Sequence, residues 1–182
     1  MDYSKFDFLI TGYPRSGTAW FASLFSIGEY MCIHEPETLG SEYLSSVISE
    51  FRIVGASTSS PVSDRFNGKL PGKIIVIERQ REECIESFMR KFSTEVDLSS
   101  SESKKSTENA LLATGTIEEF VKKNSLALRY KFYDVFFSDF RRRKSIIFGM
   151  WEYIFDRSPS AKCAAKIVQC LKFNVQLSKL KG

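Results

Sequence analysis

The stretch from Phe6 to Trp20 constrains the fold and the chemistry of this chain more than any other stretch. It begins with a short apolar run, Phe6 to Ile10, which is typical of a buried β-strand. A tight polar loop bounded by Gly12 and Gly17 follows. Beyond the loop, apolar side chains are spaced for one face of a helix, at Trp20, Phe21, Leu24 and Phe25. Because this order brings free backbone N–H groups to the positive end of a helix dipole, it predicts a site for a phosphate or a similar anion.

The loop has the glycine spacing of the phosphate-binding loop of nucleotide triphosphatases, G-x-x-x-x-G-K-[ST], but lacks two of its functional groups. Thr18 and Ala19 stand where that motif requires the lysine and the magnesium-binding hydroxyl. The cation is instead Arg15, which lies inside the loop. A P-loop kinase or another nucleotide phosphotransferase is therefore an alternative that lacks its lysine, and an ordinary strand-to-helix turn is the plainest alternative.

The segment Tyr13–Trp20 resembles the phosphosulfate-binding loop of the sulfotransferases, whose usual form is Tyr-Pro-Lys/Arg-Ser-Gly-Thr-Thr-Trp. Seven of its eight positions match, and Ala19 is the departure, which removes one hydroxyl of the family pattern. The resemblance implies that 3′-phosphoadenosine 5′-phosphosulfate (PAPS) is the sulfuryl donor, that 3′,5′-adenosine bisphosphate (PAP) is the product, and that no metal is needed. It assigns donor binding to Tyr13, Pro14, Arg15, Ser16, Gly17, Thr18, Ala19 and Trp20, with Arg15 also catalytic.

A second island of resemblance pairs Arg79 with Ser87, eight residues further on. In the sulfotransferases an arginine and a serine at this spacing hold the 3′-phosphate of PAPS. An arginine fork binds phosphate oxygens in a bidentate manner, and a hydroxyl adds a neutral hydrogen bond. The alternative interpretation is that Arg79 pairs with Glu82 or Glu83 and that Ser87 is an incidental helix residue.

The candidate catalytic base is His34 or Glu35, in a segment that follows the first predicted helix. The local sequence from Cys32 to Glu35 resembles the Cys-Gly-Glu-Glu of the protein-tyrosine sulfotransferases, in which the base is a glutamate. His34 ranks first because its ordinary pKa of about 6.5 suits proton transfer at neutral pH. Glu35 ranks second because a carboxyl would need its pKa raised by burial. The alternative is a loop histidine that caps a neighbouring group.

Alternation of strands and helices predicts one three-layer, P-loop-like α/β domain over 1–182, with a mainly parallel central sheet flanked by helices. The predicted strands are 6–11, 30–33, 51–56, 73–79 and 145–151. The predicted helices are 17–27, 41–51, a helix that follows residue 79, 116–137 and 160–171. A Ser-, Lys- and Glu-rich segment, 93–115, is predicted to be a mobile loop. Residues 146–154 resemble the family strand that ends in Tyr-Glu-Asp-Leu, with Glu152 as the retained acid.

Composition and sequence patterns give expectations for the cellular compartment, for metal binding and for partners. The four cysteines form no CxxC pair and there is a single histidine, so reduced thiols and no metal are expected. No apolar run of about 18 residues or more predicts a membrane span, and the amino-terminal residues do not have the pattern of a signal peptide. A cytoplasmic enzyme is therefore expected. Residues 141–182 carry ten Lys or Arg and two acids, which we interpret as solvated helix faces rather than a nucleic-acid site.

These observations favour a sulfotransferase that moves a sulfuryl group to the hydroxyl or amine of a small-molecule or glycan acceptor. The residues define neither the acceptor nor the oligomeric state. A non-catalytic nucleotide-binding protein of the same fold is the other alternative. It is supported by Ala19 and by the absence of the Arg-Lys-Gly loop that closes over the nucleotide in cytosolic family members.

Overall fold

The computed structural model describes residues 3–59, 70–92 and 126–179, together with Ser101, Lys105, Glu108, Glu119 and Phe120. The strands are β1 (Phe8–Gly12), β2 (Tyr30–His34), β3 (Ile53–Thr58), β4 (Lys73–Glu78) and β5 (Leu128–Lys131). The helices are α1 (Thr18–Phe25), α2 (Ser41–Glu50), α3 (Arg81–Phe92), α4 (Phe132–Phe136), α5 (Phe140–Phe155) and α6 (Ala161–Lys179), with 3-10 turns at Tyr3–Lys5 and Pro36–Thr38. The strands form one sheet in the order β2-β3-β1-β4-β5.

Every pair of neighbouring strands in this sheet is parallel. Parallel strands need crossover connections, which place helices on both faces of the sheet and bury the central strands on both sides. The continuous apolar runs of β1 and β4 fit this requirement, because Leu9, Ile10, Val76 and Ile77 are almost fully buried. The predicted class, a three-layer α/β domain with a parallel sheet, is confirmed.

Two apolar layers hold the helices against the sheet. The first, which we call the α1 face, joins side chains of α1, α4, α5 and α6 to one side of the sheet and is rich in aromatic rings. The second, the α2 face, joins α2 and α3 to the other side. Each large side chain that is fully buried in these layers contributes about 1.5–3 kcal/mol, so the layers fix which side of the sheet each helix occupies.

Ser26 shapes the tight connection between α1 and β2. Its hydroxyl donates to the Ala22 carbonyl oxygen at 2.8 Å and accepts from the Cys32 amide at 3.0 Å. Gly28, in the same turn, has φ 67°, a conformation that side chains with a Cβ disfavour. The helix therefore ends after Phe25 and the chain returns directly to the sheet.

The predicted strand over 145–151 is wrong, because these residues lie inside the 16-residue helix α5. A short apolar run does not by itself distinguish a buried strand from a buried helix segment. The buried residues show the helical spacing of three and four, at Arg143, Ile147, Met150, Trp151, Ile154 and Phe155. The Asp139 carboxylate caps the helix by accepting from the Arg142 amide at 2.9 Å. Glu152 is consequently a helix residue rather than a strand-end acid.

The predicted helix over 116–137 is wrong at residues 128–131, which form the edge strand β5 beside β4. Its alternating exposure, with Leu128 and Tyr130 packed toward the α1 face, is the pattern of a half-buried strand. Four residues are too few for this alternation to stand out within a longer run of mixed residues. The prediction for 116–118 and 121–125 lies outside the described residues.

The remaining boundaries differ by one or two residues, except that α6 continues eight residues beyond its predicted end at 171. Strand β3 extends through Ser57 and Thr58, two residues beyond its predicted end at 56. Both are fully buried, and their polar groups are satisfied by hydrogen bonds to neighbouring segments. The predicted mobile loop, 93–115, lies outside the described residues except for Ser101, Lys105 and Glu108, which are helical.

Candidate functional site

The loop Tyr13–Gly17 lies at the carboxyl ends of the two central strands, β1 and β4. β1 leads into α1 on the α1 face, whereas β4 leads into α3 on the α2 face. Two adjacent parallel strands whose connections leave on opposite faces form a topological switch point, where open α/β sheets bind their ligands in a crevice. The predicted anion-binding loop therefore occupies the position where this architecture opens a crevice.

The backbone of the loop is tightly folded and partly strained. The Ser16 amide donates to the Tyr13 carbonyl oxygen at 3.0 Å and closes a turn. Arg15 has φ 71° and Gly17 has φ 84°, so two residues of the loop occupy the left-handed region. For a residue with a side chain this conformation is uncommon, and it is found preferentially at ligand clamps and active sites.

Glycine is required on both sides of the loop. A Cβ on Gly12 would lie 2.7 Å from the Ile77 carbonyl oxygen, in the neighbouring strand β4. A Cβ on Gly17 would lie 2.4 Å from Cζ of Phe136, a side chain of α4. The loop is therefore held between β4 and α4 at distances that only hydrogen allows.

The first turn of α1 offers unpaired donors to this crevice. The first intrahelical bond runs from the Phe21 amide to the Gly17 carbonyl oxygen at 3.1 Å. The amides of Thr18, Ala19 and Trp20 precede it and have no partner within the helix, and no side chain caps them. Together with the helix dipole, these amides make the start of α1 attractive to an anion.

Two predicted side chains, Ser16 and Arg15, flank these amides differently. Ser16 is fully buried and its hydroxyl makes no hydrogen bond of normal geometry with the described residues. Arg15 is exposed, and its Nε reaches Ser87 Oγ on α3 at 3.4 Å, which is a long and weak contact. The Arg15 guanidinium is therefore largely available to a ligand.

Arg79 is placed beside the loop but is already engaged. Its Nη1 donates to the Arg15 carbonyl oxygen at 2.6 Å, and its Nε lies 3.5 Å from Glu83 Oε2. The guanidinium carbon also lies 4.2 Å from the centre of the Phe132 ring. The side chain is 12% exposed. The structure thus brings Arg15, Arg79 and Ser87 together, and the expected pairing of Arg79 with Glu83 is present as well.

Cys84 lies behind the loop, on the inner side of α3. Burial raises the pKa of its thiol to about 11, and the neighbouring Arg79 charge and Ser16 hydroxyl lower it by less. The thiol therefore stays protonated at neutral pH and acts as a packing group. The inner wall of the crevice is closed by an apolar layer, which excludes water from behind Ser16.

His34 lies at the end of β2, on the same carboxyl edge of the sheet. Its Nδ1 is 3.2 Å from the Ser57 carbonyl oxygen, and its Nε2 is 3.8 Å from Glu35 Oε1. A hydrogen bond from Nδ1–H to a carbonyl fixes the tautomer in which Nε2 carries the free lone pair. The geometry therefore suits His34 to accept a proton at Nε2.

Glu35 belongs to a closed network of hydrogen bonds. Its carboxylate accepts from Ser59 Oγ at 3.0 Å, and its backbone amide donates to the Ser57 carbonyl oxygen at 2.8 Å. Its φ of 47° places it in the left-handed region, where the Pro36–Thr38 turn begins. The carboxylate is thus partly occupied by its own neighbourhood.

One strand, β3, separates His34 from the loop. His34, Ser57 and Ile10 are partners in the ladder, so their side chains point to the same side of the sheet, the α1 face. Two inter-strand spacings put β2 about 10 Å from β1, with β3 between them. Ser57, the ladder partner of His34, connects β3 to the start of α1, because its hydroxyl donates to the Thr18 carbonyl oxygen at 2.8 Å.

The other predicted donor-binding residues mostly pack rather than face the crevice. Tyr13 is buried in the α2 face, and Thr18 is buried at the start of α1. Trp20 packs edge-on against Phe136 with ring centres 5.1 Å apart. Pro14 is half-buried, and Ala19 is exposed. Their side chains give the loop its shape, and the donors that remain for an anion are the backbone amides and Arg15.

Sequence reasoning missed Arg143, which is 4% exposed and whose Nε has no partner among the described residues. Helix α5 runs opposite to the strands, because Lys73 Nζ, at the start of β4, donates to the Ile154 carbonyl oxygen in its last turn. Its first turn, with Arg143, is therefore directed toward the carboxyl edge. Recognising 140–155 as a helix would have revealed this residue on its buried face, one turn before Ile147.

No protein-family model matches this chain, and no curated protein matches it. Among the described residues, no group of three or more His, Cys, Asp or Glu side chains is placed to hold a metal ion. A search of the described helices found none with the length and apolar character needed to cross a bilayer. Fold and geometry together define a parallel α/β domain whose switch point carries unpaired amides and an exposed arginine, a group of donors that we call the cradle.

Proposed function

We propose that this protein is a PAPS-dependent sulfotransferase that transfers a sulfuryl group to a hydroxyl or amine acceptor. The observation that carries the proposal is that the exposed Arg15 and the unpaired first amides of α1 lie together at the β1–β4 switch point. A site with several donors and an exposed guanidinium suits a group whose negative charge is spread over several oxygens. The phosphosulfate group of PAPS, with a tetrahedral phosphorus and a tetrahedral sulfur, has such a distribution of charge.

The 5′ phosphosulfate and the 3′-phosphate of PAPS would contact two different groups of residues. The backbone amides of Thr18 and Ala19, with Arg15, would hold the 5′ phosphosulfate end. Ser87 and Arg79, which approach the loop from α3 and the end of β4, would hold the 3′-phosphate. Because Arg79 also supports the Arg15 carbonyl, it contributes to donor binding both by contact and by holding the loop.

The acceptor would lie between the loop and His34. His34 Nε2 takes the proton from the acceptor hydroxyl, while Nδ1–H remains bonded to the Ser57 carbonyl. The acceptor oxygen forms a bond to sulfur as the bond from sulfur to the bridging oxygen breaks, so PAP leaves with the electron pair. Arg15 and the loop amides stabilise the charge that develops on the bridging oxygen. A positioned base contributes about 10²–10⁴ in rate.

The setting in which the protein acts is part of the same proposal. Its four cysteines are all free thiols, which is the usual state of cysteines in a reducing cytoplasm. The acceptor is expected to be a small molecule or a glycan end.

Thermal stabilisation by nucleotides tests the proposal directly. A ligand that binds only the native state raises its stability with the logarithm of ligand concentration over Kd. We expect PAP to raise Tm and ATP with magnesium to do so much less. A preference for ATP with magnesium would favour a kinase instead. PAP binding without transfer to a broad panel of phenols, alcohols, amines and glycans would favour a non-catalytic protein.

The 3′-phosphate assignment has its own test, the ratio of PAP affinity to AMP affinity. Ser87→Ala should lower the affinity for PAP and leave that for AMP unchanged, because AMP lacks the 3′-phosphate. Arg79→Ala should lower both, and PAP more strongly. Arg52→Gln is the matched control, since Arg52 is 61% exposed and pairs with Glu29 at the opposite end of the sheet. Equal losses for both nucleotides in Arg79→Ala would reduce Arg79 to a support of the loop.

A further inference from the structure

A cavity lies at the amino ends of the strands, opposite the loop Tyr13–Gly17. Its volume is about 310 Å³, and it opens between the α1–β2 turn, helix α5 and the first turn of α6. Ligand pockets in proteins measure roughly 300–1,000 Å³, so this cavity has room for a molecule of about ten non-hydrogen atoms. Nothing in the mechanism above uses it.

The floor of the cavity is apolar and aromatic. Tyr30, Trp151 and Cys163 line it, and each is more than nine-tenths buried. Tyr30 and Trp151 stand edge to face, with ring centres 5.4 Å apart. An aromatic ligand body can pack on such a floor by the same offset and edge-on contacts.

One polar group on this floor lacks its partner. Trp151 is 1% exposed, and its indole Nε1 has no acceptor within hydrogen-bond distance among the residues that the structure describes. A buried indole N–H normally finds an acceptor, and leaving it unpaired costs about 1–3 kcal/mol. The nitrogen itself is covered by neighbouring atoms, so its N–H signal reports on ligands that pack against the Trp151 ring.

The rim of the cavity is positively charged. Arg157 lies over the Tyr30 ring at 5.6 Å and pairs with Glu29 at 3.4 Å, but Glu29 also pairs with Arg52 at 3.1 Å. Lys162, on the first turn of α6, has no acidic partner among the described residues. Two arginines therefore share one carboxylate and Lys162 adds a further charge, while the positive end of the α6 dipole strengthens the field.

We propose that this cavity binds a small organic anion with an aromatic body, of which a simple aryl carboxylate is the minimal form. The ring would pack on Tyr30 and Trp151. The carboxylate would face Lys162 and Arg157. The proposal is independent of the sulfotransferase assignment, because it rests on different residues at the other end of the sheet.

Nuclear magnetic resonance of the indole N–H groups tests the proposal. The chain contains two tryptophans, so the ¹⁵N-labelled protein gives two indole signals, which the Trp20→Phe variant assigns. Titration with benzoate should shift the Trp151 signal saturably, with a Kd of about 1 mM for a ligand of this size. The uncharged analogue benzamide should bind at least about tenfold more weakly.

Charge variants on α6 provide the matched control. Lys162→Gln should weaken benzoate binding about threefold, in keeping with the loss of one partly exposed charge. Lys166→Gln removes an exposed charge one turn further along the same helix and should leave the affinity unchanged. The proposal is overturned if benzoate up to about 20 mM moves no indole signal. It is overturned equally if benzamide binds as tightly or if the two lysine variants behave alike.

Discussion

Two segments at the carboxyl edge of the sheet differ in how they use their polar groups. The loop Tyr13–Gly17 leaves the first amides of the following helix and most of the Arg15 guanidinium without protein partners among the described residues. The turn Glu35–Thr38 satisfies its own groups, with hydrogen bonds from Ser59 and Thr58 to its carboxylates. The first segment has donors to offer a ligand, and the second uses its polar groups to hold its shape.

The two segments differ in whether their polar groups contribute to the stability of the fold or remain for a ligand. Buried hydrogen bonds to carboxylates stabilise a fold, whereas unpaired donors lower stability until a ligand completes them. Glu37 stabilises the turn, since its carboxylate accepts hydrogen bonds from Tyr3 Oη at 2.7 Å and from Thr58 Oγ1 at 2.5 Å. Substitutions in the loop should therefore change binding, and substitutions in the turn should change stability.

Arg15→Gln should have the largest effect on activity. Removing one donor that stabilises developing charge typically lowers kcat by about 10²–10³. The free energy of unfolding of the ligand-free protein should hardly change, because the only side-chain contact of Arg15 among the described residues is the 3.4 Å approach to Ser87. The measurement is the rate of sulfuryl transfer from PAPS, beside urea unfolding. Arg52→Gln is the control, and it should leave the rate unchanged.

The contrast between the two segments would be contradicted if Arg15→Gln lowered the free energy of unfolding by more than about 1 kcal/mol and left the affinity for PAP unchanged. Such a result would make Arg15 a structural residue of an ordinary turn, and the loop would then be no more open than the segment around Glu37.

Gly17→Ala should lower the free energy of unfolding by about 3 kcal/mol, because a left-handed φ and a steric clash act together. The new methyl group would meet the Phe136 ring at 2.4 Å. Gly28→Ala is the matched control. It has φ 67° but no atom within 4 Å of the new Cβ, so we expect a loss of only about 1 kcal/mol. Equal losses in the two variants would show that Phe136 does not hold the loop in place.

The sequence predicted the parts of the fold that depend on local patterns. The strand–loop–helix unit, strand β4 and helices α2 and α3 were identified because their apolar spacing and their glycines agree with the tertiary structure. The segments around 128–131 and 145–151 were wrong because a run of four residues or a continuous apolar run has no distinctive period. Their identity depends on packing against β4 and the α1 face, which one sequence does not reveal.

The sequence located the loop but not the side-chain contacts around it. The apolar run, the two glycines and the helix spacing identified the loop, because they reflect local requirements of the backbone. They did not reveal that Arg79 supports the Arg15 carbonyl, that Ser57 connects His34 to Thr18, or that Arg143 is buried. Those relationships join residues far apart in the chain and follow from the strand order, which places β3 between β1 and β2.

Glu37→Gln should lower the free energy of unfolding by about 2 kcal/mol, since two hydrogen bonds to a carboxylate are replaced by one to a neutral amide. The affinity for PAP should stay the same, because no group of the cradle contacts Glu37. Urea unfolding and calorimetric titration measure the two quantities. Glu50→Gln, at an exposed position at the end of α2, should change stability by less than about 0.5 kcal/mol. A loss of PAP affinity in Glu37→Gln would contradict the division between the two segments.

The smallest effect concerns the wall behind the loop and is read from the pH dependence of stability. Burial raises the pKa of the Cys84 thiol to about 11 from an ordinary value near 9. Because the folded pKa is the higher one, its contribution is complete below pH 9 and is lost as pH rises toward 11. Between pH 9 and pH 10 the loss should be about 1 kcal/mol. Comparing urea unfolding of the wild type and Cys84→Ala isolates this contribution, since the other groups with raised pKa are common to both. If the free energy of unfolding changed equally with pH in the two proteins, water would have to reach the Cys84 thiol through the cradle. The loop would then lack the closed floor that distinguishes a binding site from a surface turn.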